Sequence, residues 1–299
     1  MKVFLGNETM DLRLSLIGSA QCFSWLETPN GFIGAHGGLP VRLWRDECGL
    51  WVEADDGLNE ADVRHRLRHY LDLNRDYAAI AAEFAAWPVG RRAMELYPGL
   101  RVLNQPAWEA LVAFILSANN NVMRIRRLVL ALNREYGAHL SVGGAQVYVF
   151  PSPERLAACA PEELRALGMG YRAPYLAETA RRVRDGFPLN ALSGMPYEDA
   201  HRALLALPGV GDKVADCVLL FGCGQSVAFP VDVWVERLLR SWFGVNERMN
   251  RSQLGSFARK TLGKHAGLMQ QFLFPNGLSP SVVCSLFFIK GNSSSCRMI

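Results

Sequence analysis

Two hydrophobic periods divide this chain. Up to about residue 55, apolar positions come in short runs rich in β-branched and aromatic side chains: Phe32-Ile33-Gly34-Ala35, Val41-Arg42-Leu43-Trp44 and Leu50-Trp51-Val52-Glu53. Gly37-Gly38 and Asp46-Glu47-Cys48-Gly49 stand between them, so the spacing predicts strands joined by hairpin turns. From Asn59 the apolar positions recur at helical intervals. Asn59 is placed to cap a helix running to about residue 71, with Val63, Leu67 and Tyr70-Leu71 on one face. A second, Ala-rich helix is expected over 77–87, with Pro88 as its stop. Beyond residue 101 helix follows helix, over 108–117, 123–136, 161–167, 173–185, 197–206, 212–221, 233–243 and 252–262, with Pro or Gly at nearly every junction. The fold class is α+β. An N-terminal antiparallel β domain with flanking helices is expected over 1–100, and an all-helical domain over 101–274. Residues 275–299 are Ser-rich, without acids and without a helical period. They read as an atypical tail, either a frayed end or a segment outside the working protein.

Composition adds one asymmetry. The formal net charge is only +4, but residues 1–100 carry 14 acidic and 10 basic side chains, whereas residues 101–299 carry 14 acidic and 22 basic. No acid follows Glu247. A basic C-terminal two-thirds is the footprint of a phosphate-binding face, although charge alone fits many soluble domains. No apolar run of about eighteen residues is present, so no membrane span is expected, and the N-terminus carries no signal-peptide pattern. The 7 cysteines are dispersed and form no CxxC pair, which points to reduced thiols in an intracellular protein and away from zinc ribbons.

The chemistry concentrates in one stretch. Leu207-Pro208-Gly209-Val210-Gly211 cannot continue a preceding helix, and Asp212-Lys213-Val214-Ala215-Asp216-Cys217 opens a new one. A Gly-rich turn at a helix start offers free backbone N–H groups, here from Gly209 and Gly211 onward, and these suit a phosphate. Lys213 sits where a helix N-terminus disfavours a cation, and such a place favours a neutral, nucleophilic amine. Asp232, in Pro230-Val231-Asp232, is a plain N-cap for the next helix. It is also a carboxylate held ionised, able to face a developing positive charge.

With those residues in view, the chain resembles the helix-hairpin-helix Gly-Pro-Asp (HhH-GPD) superfamily of DNA glycosylases, and within it the 8-oxoguanine DNA glycosylase/lyase family. Four further blocks carry the likeness: Asn104-Gln105-Pro106-Ala107-Trp108-Glu109; Ser117-Ala118-Asn119-Asn120-Asn121 with Arg124; Leu167-Gly168-Met169-Gly170-Tyr171-Arg172-Ala173; and Ala266-Gly267-Leu268-Met269-Gln270-Gln271-Phe272-Leu273-Phe274. The likeness spans roughly residues 10 to 274. It implies that the helical part is an HhH-GPD glycosylase domain and that the activity is excision of 8-oxoguanine from duplex DNA, preferably opposite cytosine. It implies attack of Lys213 on the sugar C1′, a Schiff base and β-elimination, with Asp232 supporting the cationic sugar.

The same resemblance implies a base pocket in which Cys217 and Phe274 face the two sides of the flipped base and Gln270 reads its Watson–Crick edge. Ser19-Ala20-Gln21 departs from the family pattern: Ala20 stands where the family has the glycine whose carbonyl senses the N7 proton of 8-oxoguanine. Asn119 fills the hole left by the base, Arg124 and Arg172 hold the widowed cytosine, and Tyr171 wedges the stack. No metal or cofactor is called for. The expected partner is double-stranded DNA carrying an oxidised purine, with no membrane, and the protein is expected to act as an intracellular, DNA-associated monomer, in cytoplasm and nucleoid or in a nucleus. Three rivals stand beside this reading. An alkylpurine glycosylase that only hydrolyses has no use for Lys213. An endonuclease III-like enzyme needs a four-cysteine cluster after the catalytic Asp, where only Cys284 and Cys296 are found. A non-catalytic hairpin module needs neither Lys213 nor Asp232. Bland readings also persist: Cys217 as a small core residue, the Asn run as a polar helix end, and Arg124 as part of a solvated face with Arg126 and Arg127.

Overall fold

The computed structural model describes residues 1–273, so Phe274 and the tail lie outside the described residues. Strands β1 (Lys2–Gly6), β2 (Leu26–Thr28), β3 (Gly31–His36), β4 (Leu39–Asp46) and β5 (Gly49–Glu53) form one antiparallel sheet in the order β1-β5-β4-β3-β2. In register, Leu43 lies opposite Val52 on one side and Phe32 on the other. Val3, Leu5, Val41, Leu43 and Val52 point inward and are almost wholly buried, as alternation on a half-solvated sheet requires. The helix α1 (Glu60–Tyr70) covers that face through Val63, Leu67 and Tyr70, and Asn59 caps it by accepting from the Asp62 N–H at 3.1 Å. Between β1 and β2 the chain makes a helical turn over Leu14–Gly18, inside the region read as β.

The helices α2 (Tyr77–Phe84) and α3 (Pro88–Leu96) follow. Pro88 does not simply end a helix; it occupies the first position of α3, where its fixed φ and missing N–H cost nothing. The rest comprises α4 (Ala107–Ser117), α5 (Val122–Tyr136), β6 (His139–Val142), β7 (Ala145–Tyr148), α6 (Pro153–Ala157), α7 (Pro161–Ala166), α8 (Ala173–Arg184), α9 (Tyr197–Leu205), α10 (Asp212–Gly222), α11 (Val233–Phe243), α12 (Arg251–Leu262) and α13 (Ala266–Leu273). The helical part thus carries one hairpin, β6–β7, that periodicity did not predict. Its strands have four residues each, and three of the four in β6 are exposed. It docks on the N-terminal sheet through Val142, Val147 and Ile33, and Arg42, ion-paired with Glu53 at 2.7 Å, donates to the Gly143 carbonyl at 3.1 Å.

The central element is α4, apolar all round and buried from Ala110 to Leu116. It packs directly on α10. Gly222 makes that approach possible, since a Cβ there would lie 2.9 Å from the Ala107 Cα. The core around this pair collects Tyr77, Phe84, Leu111, Ile115, Leu204, Val214, Val218, Leu268 and Phe272. A neighbouring core joins Phe23 and Val112 to α5, α6, α7 and α8. Among the described residues, no helix is long and apolar enough to cross a membrane.

Candidate active site

The turn before α10 has the geometry its sequence demands. Gly209 has φ +77°, and a Cβ there would sit 3.0 Å from the Cβ of Tyr175, so both conformation and packing require glycine. Gly211 differs: its φ is −109° and nothing lies within 4 Å of its missing Cβ. It is exposed and forms the N-cap of α10 with no side-chain cap. The first N–H groups of α10 are therefore left without a side-chain acceptor, at an open surface that a phosphate can approach.

One residue into this helix, Lys213 is half-buried. Its Nζ donates to the Ser117 Oγ at 2.8 Å and lies 5.2 Å from the centre of the Phe114 ring. Ser117 in turn donates to the Phe114 carbonyl at 2.7 Å, so its oxygen is fixed to receive the lysine. No ion pair to Lys213 occurs among the described residues. Cys217, one turn further along α10, is 3 % exposed, and burial pushes its thiol up to about 12, with the nearby Lys213 charge acting in the opposite direction. It is an un-ionised wall. Asp232 caps α11: Oδ1 accepts from the Trp234 and Val235 N–H groups, both at 2.9 Å. The second oxygen, Oδ2, has no donor among the described residues. The N-cap reading of Asp232 is thus observed, and it leaves one carboxylate oxygen free.

The three asparagines separate by role. Asn120 donates to the Leu116 carbonyl at 3.0 Å and closes α4, while Asn121 accepts from the Arg124 N–H at 2.9 Å and caps α5. Asn119 is exposed, has φ +47° and makes no side-chain hydrogen bond among the described residues. Its backbone is held by Arg172, which is 3 % exposed and donates to the carbonyls of Ala118 (Nε, 2.9 Å) and Asn119 (2.9 Å). Tyr171 is 52 % exposed, with its hydroxyl on the Ala118 carbonyl at 3.0 Å, and the Arg172 guanidinium stacks 4.4 Å from its ring. Arg124 is exposed and reaches the Gly168 carbonyl at 3.3 Å. Asn119, Arg124, Tyr171 and Arg172 therefore form one cluster at the α4–α5 turn, two residues from Ser117 and hence beside Lys213.

The segments that carry Ala20 and Gln270 are tied together at another wall. Gln271, next to Gln270 on α13, donates to the Ser19 carbonyl at 2.7 Å. Ala20 has φ +54°, in the left-handed region where glycine is at ease. Its neighbours are locked: Gln21, fully buried, reaches the carbonyls of Ser15 (3.0 Å) and Arg101 (2.8 Å) and accepts from the Leu103 N–H (2.8 Å). Gln270 is 8 % exposed, and its Oε1 is buried with no partner, an acceptor without a donor. Sequence reasoning missed one residue at this rim. Trp234 is 58 % exposed beside Asp232, with Arg237 stacked 5.1 Å from its ring. Its setting, Val233-Trp234-Val235, reads as core; only its place two residues after an N-cap Asp hinted otherwise.

Comparison with known proteins identifies the family. Residues 2–111 match the 8-oxoguanine DNA glycosylase N-terminal domain, and residues 112–262 match the HhH-GPD superfamily base excision DNA repair protein. The chain belongs to the 8-oxoguanine DNA glycosylase family of the HhH-GPD superfamily. It is 35 % identical over 260 residues to a probable N-glycosylase/DNA lyase of Methanothermobacter thermautotrophicus, covering 79 % of this chain and 81 % of that one. It is 31 % identical to the N-glycosylase/DNA lyase OGG1 of Arabidopsis thaliana, covering 86 % and 74 %. The 8-oxoguanine glycosylase/lyase of Clostridium acetobutylicum, solved with duplex DNA containing cytosine opposite 8-oxoG, superposes with a TM-score of 0.83 at 29 % identity, covering 89 % of this chain and 91 % of that one. In this family member the charges of Lys213 and Asp232 both lie within reach of Cys217 on α10.

Proposed function

We propose that this protein removes 8-oxoguanine from duplex DNA and then cleaves the strand by β-elimination. The observation that carries the reading is the Lys213 amine at the uncapped start of α10, fixed on Ser117 between the Asn119 turn and the buried Cys217 thiol. In this reading the Nζ lone pair, freed of its proton, forms a bond to the sugar C1′. The C1′–N9 bond breaks, and the base leaves with its electron pair and takes up a proton. Positive charge that develops on the sugar faces the free Oδ2 of Asp232, a fixed charge of the kind worth about 3 kcal/mol in a transition state. The C1′–O4′ bond then opens, O4′ taking up a proton, as the amine lone pair forms the C1′=N bond of a Schiff base. Loss of a C2′ proton expels the 3′ phosphate.

The extruded base is bounded by Cys217 and read by Gln270, whose unpartnered Oε1 suits an N–H of the base edge. The Ala20 carbonyl, which accepts no hydrogen bond among the described residues, is the group offered to the N7 proton that guanine lacks. Asn119 occupies the vacated stack, its side chain free of any structural duty. Arg124 meets the orphaned cytosine, and Arg172 holds the turn and supports Tyr171. Exposed Trp234 offers a flat face for DNA at the rim. Because every group named comes from one chain, we infer a working monomer.

The test is borohydride trapping on duplexes carrying 8-oxoguanine opposite each of the four bases. Trapping is expected with 8-oxoguanine and to vanish in Lys213→Gln while duplex binding persists, because phosphate contacts do not use this amine. Undiminished trapping by that variant removes Lys213 from the mechanism, and better release of an alkylated purine moves the substrate to another branch of the superfamily.

A further inference from the structure

A sizeable cavity lies away from Lys213. A space of about 550 Å³ lies on the far side of α5, closed by β2, β3 and the β6–β7 hairpin. That volume suits a small molecule rather than a peptide or a lipid surface. The exposed stripe of α5 forms one wall: Met123, Arg127, Leu130 and Arg134 recur at helical intervals on it, and Arg126 lines the same space. Three guanidinium groups therefore border one cavity, and no acidic side chain lines it. None of the three has an ion-pair partner among the described residues. Glu27, the acid whose charge reaches Arg126, is paired with Arg13 at 3.1 Å. Arg126 spends a donor on the Trp25 carbonyl, which leaves the exposed guanidinium groups of Arg127 and Arg134 to meet a compact anion, and planar guanidinium suits phosphate.

The other walls indicate what the anion is attached to. Leu26, Leu130 and the ring of Tyr148 give flat apolar area, and the carboxamides of Asn133 and Gln146 lie at the edge. Asn133 is buried with its Nδ2 spent on Ser24 at 3.3 Å, so the accessible carboxamide is that of Gln146. An apolar slot edged by an amide donor and acceptor matches a nucleobase. At its rim stands Met123, 75 % exposed and adjacent in sequence to Arg124.

We propose that this cavity is a second nucleotide site, separate from the lesion pocket, which takes one nucleotide: base against Leu26, Leu130 and Tyr148, phosphate on Arg127 and Arg134. The nucleotide comes either free or as an unpaired unit of bound DNA. The site does not depend on excision, so it stands or falls apart from the lyase reading.

The experiment is titration calorimetry of the full chain with dGMP, with deoxyguanosine and with inorganic phosphate, repeated in excess abasic duplex to fill the lesion pocket. dGMP is expected to bind with a Kd of about 1 mM or tighter, unaffected by the duplex, and at least about tenfold more tightly than either fragment, since base and phosphate are held together. The double variant Arg127→Ser/Arg134→Ser changes two exposed side chains and should weaken dGMP about tenfold or more, as should Leu130→Trp, which fills the slot, with excision from plain duplex unchanged. A preference for duplexes with a one-nucleotide bulge that the double variant loses assigns the site to DNA-borne nucleotides; dGMP binding without that preference assigns it to free ones. Absence of dGMP binding, displacement by the abasic duplex, or full binding by both variants overturns the proposal.

Discussion

Ala20 offers the sharpest test of the proposed base pocket, because it holds an L-residue in the left-handed region. At φ +54° an L-residue carries a steric penalty of roughly 1–2 kcal/mol. The surroundings prevent relaxation: Ser19 is held by Gln271, and Gln21 is clamped to Ser15, Arg101 and Leu103. Ala20→Gly removes that penalty but gives the unfolded chain freedom worth about 0.4–1 kcal/mol. The net expectation is a protein unchanged or stabilised by up to about 1 kcal/mol, where an ordinary Ala→Gly inside a helix or strand loses about 0.5–1 kcal/mol. Ala20→Val puts a β-branched side chain in the same conformation and should lose about 2 kcal/mol. Urea unfolding with unchanged m-values measures both, and in a chain of this size each kcal/mol moves Tm by about 2–4 °C. Single-turnover release of 8-oxoguanine supplies the second readout. Ala20→Gly keeps the sensing carbonyl and removes a half-exposed methyl, so it should excise at least as fast as wild type, with Ala20→Val slower. Loss of more than about 1 kcal/mol in Ala20→Gly would show that no left-handed strain exists there and that the carbonyl is not held as described.

Four other outcomes follow from the site. Asp232→Asn keeps an N-capping side chain, so stability should fall by no more than about 1 kcal/mol while single-turnover excision drops roughly 100-fold or more; equal loss of both would make Asp232 only a cap. Arg124→Met should leave the fold intact and flatten a cytosine-over-adenine preference of about tenfold, seen in rates opposite each base. Arg172→Ala strips donors from the partly buried carbonyls of Ala118 and Asn119 and should cost about 1–3 kcal/mol in denaturant unfolding; a loss near zero would mean that the guanidinium does not hold the Asn119 turn. Burial pushes the Glu109 carboxyl from 4.5 up to about 8. Its folded pKa is raised, so its contribution is intact below the unfolded value and is lost as pH rises toward 8. Glu109→Gln should therefore be about 1–3 kcal/mol more stable than wild type near pH 8 and equal to it below about pH 4; a pH-independent difference would refute the shift.

Much of the site was legible because its residues obey local rules. Gly209 is demanded by a turn, Asp232 and Asn121 by helix caps, and Lys213 stands out as a cation at the wrong end of a helix. What the chain hid depends on distant partners. Arg172, which the resemblance set against the widowed cytosine beside Arg124, is buried, and two carbonyls of the α4–α5 turn, more than fifty residues earlier, take its donors. The β6–β7 hairpin has too few inward residues for alternation to register, and its stability comes from the sheet it docks on. Pro88 obeys a local rule with two outcomes, ending one helix or starting the next, and only the packing of α3 against α13 decides. Trp234 looks like core because a sequence cannot say which apolar residues of an amphipathic helix face outward.

The hydrogen bond from Gln271 to Ser19 joins residues 252 positions apart. The wall proposed to read the base is therefore closed by nearly the last described residues of the chain bonding to nearly the first. The same helix also supplies Leu268 and Phe272 to the core beneath α4 and α10, so a chain that stops before α13 lacks both that wall and part of the packing that holds the Lys213 helix. Such long-range closure is also a late and slow folding event, so the pocket should be the last part to gain protection in a refolding hydrogen-exchange experiment.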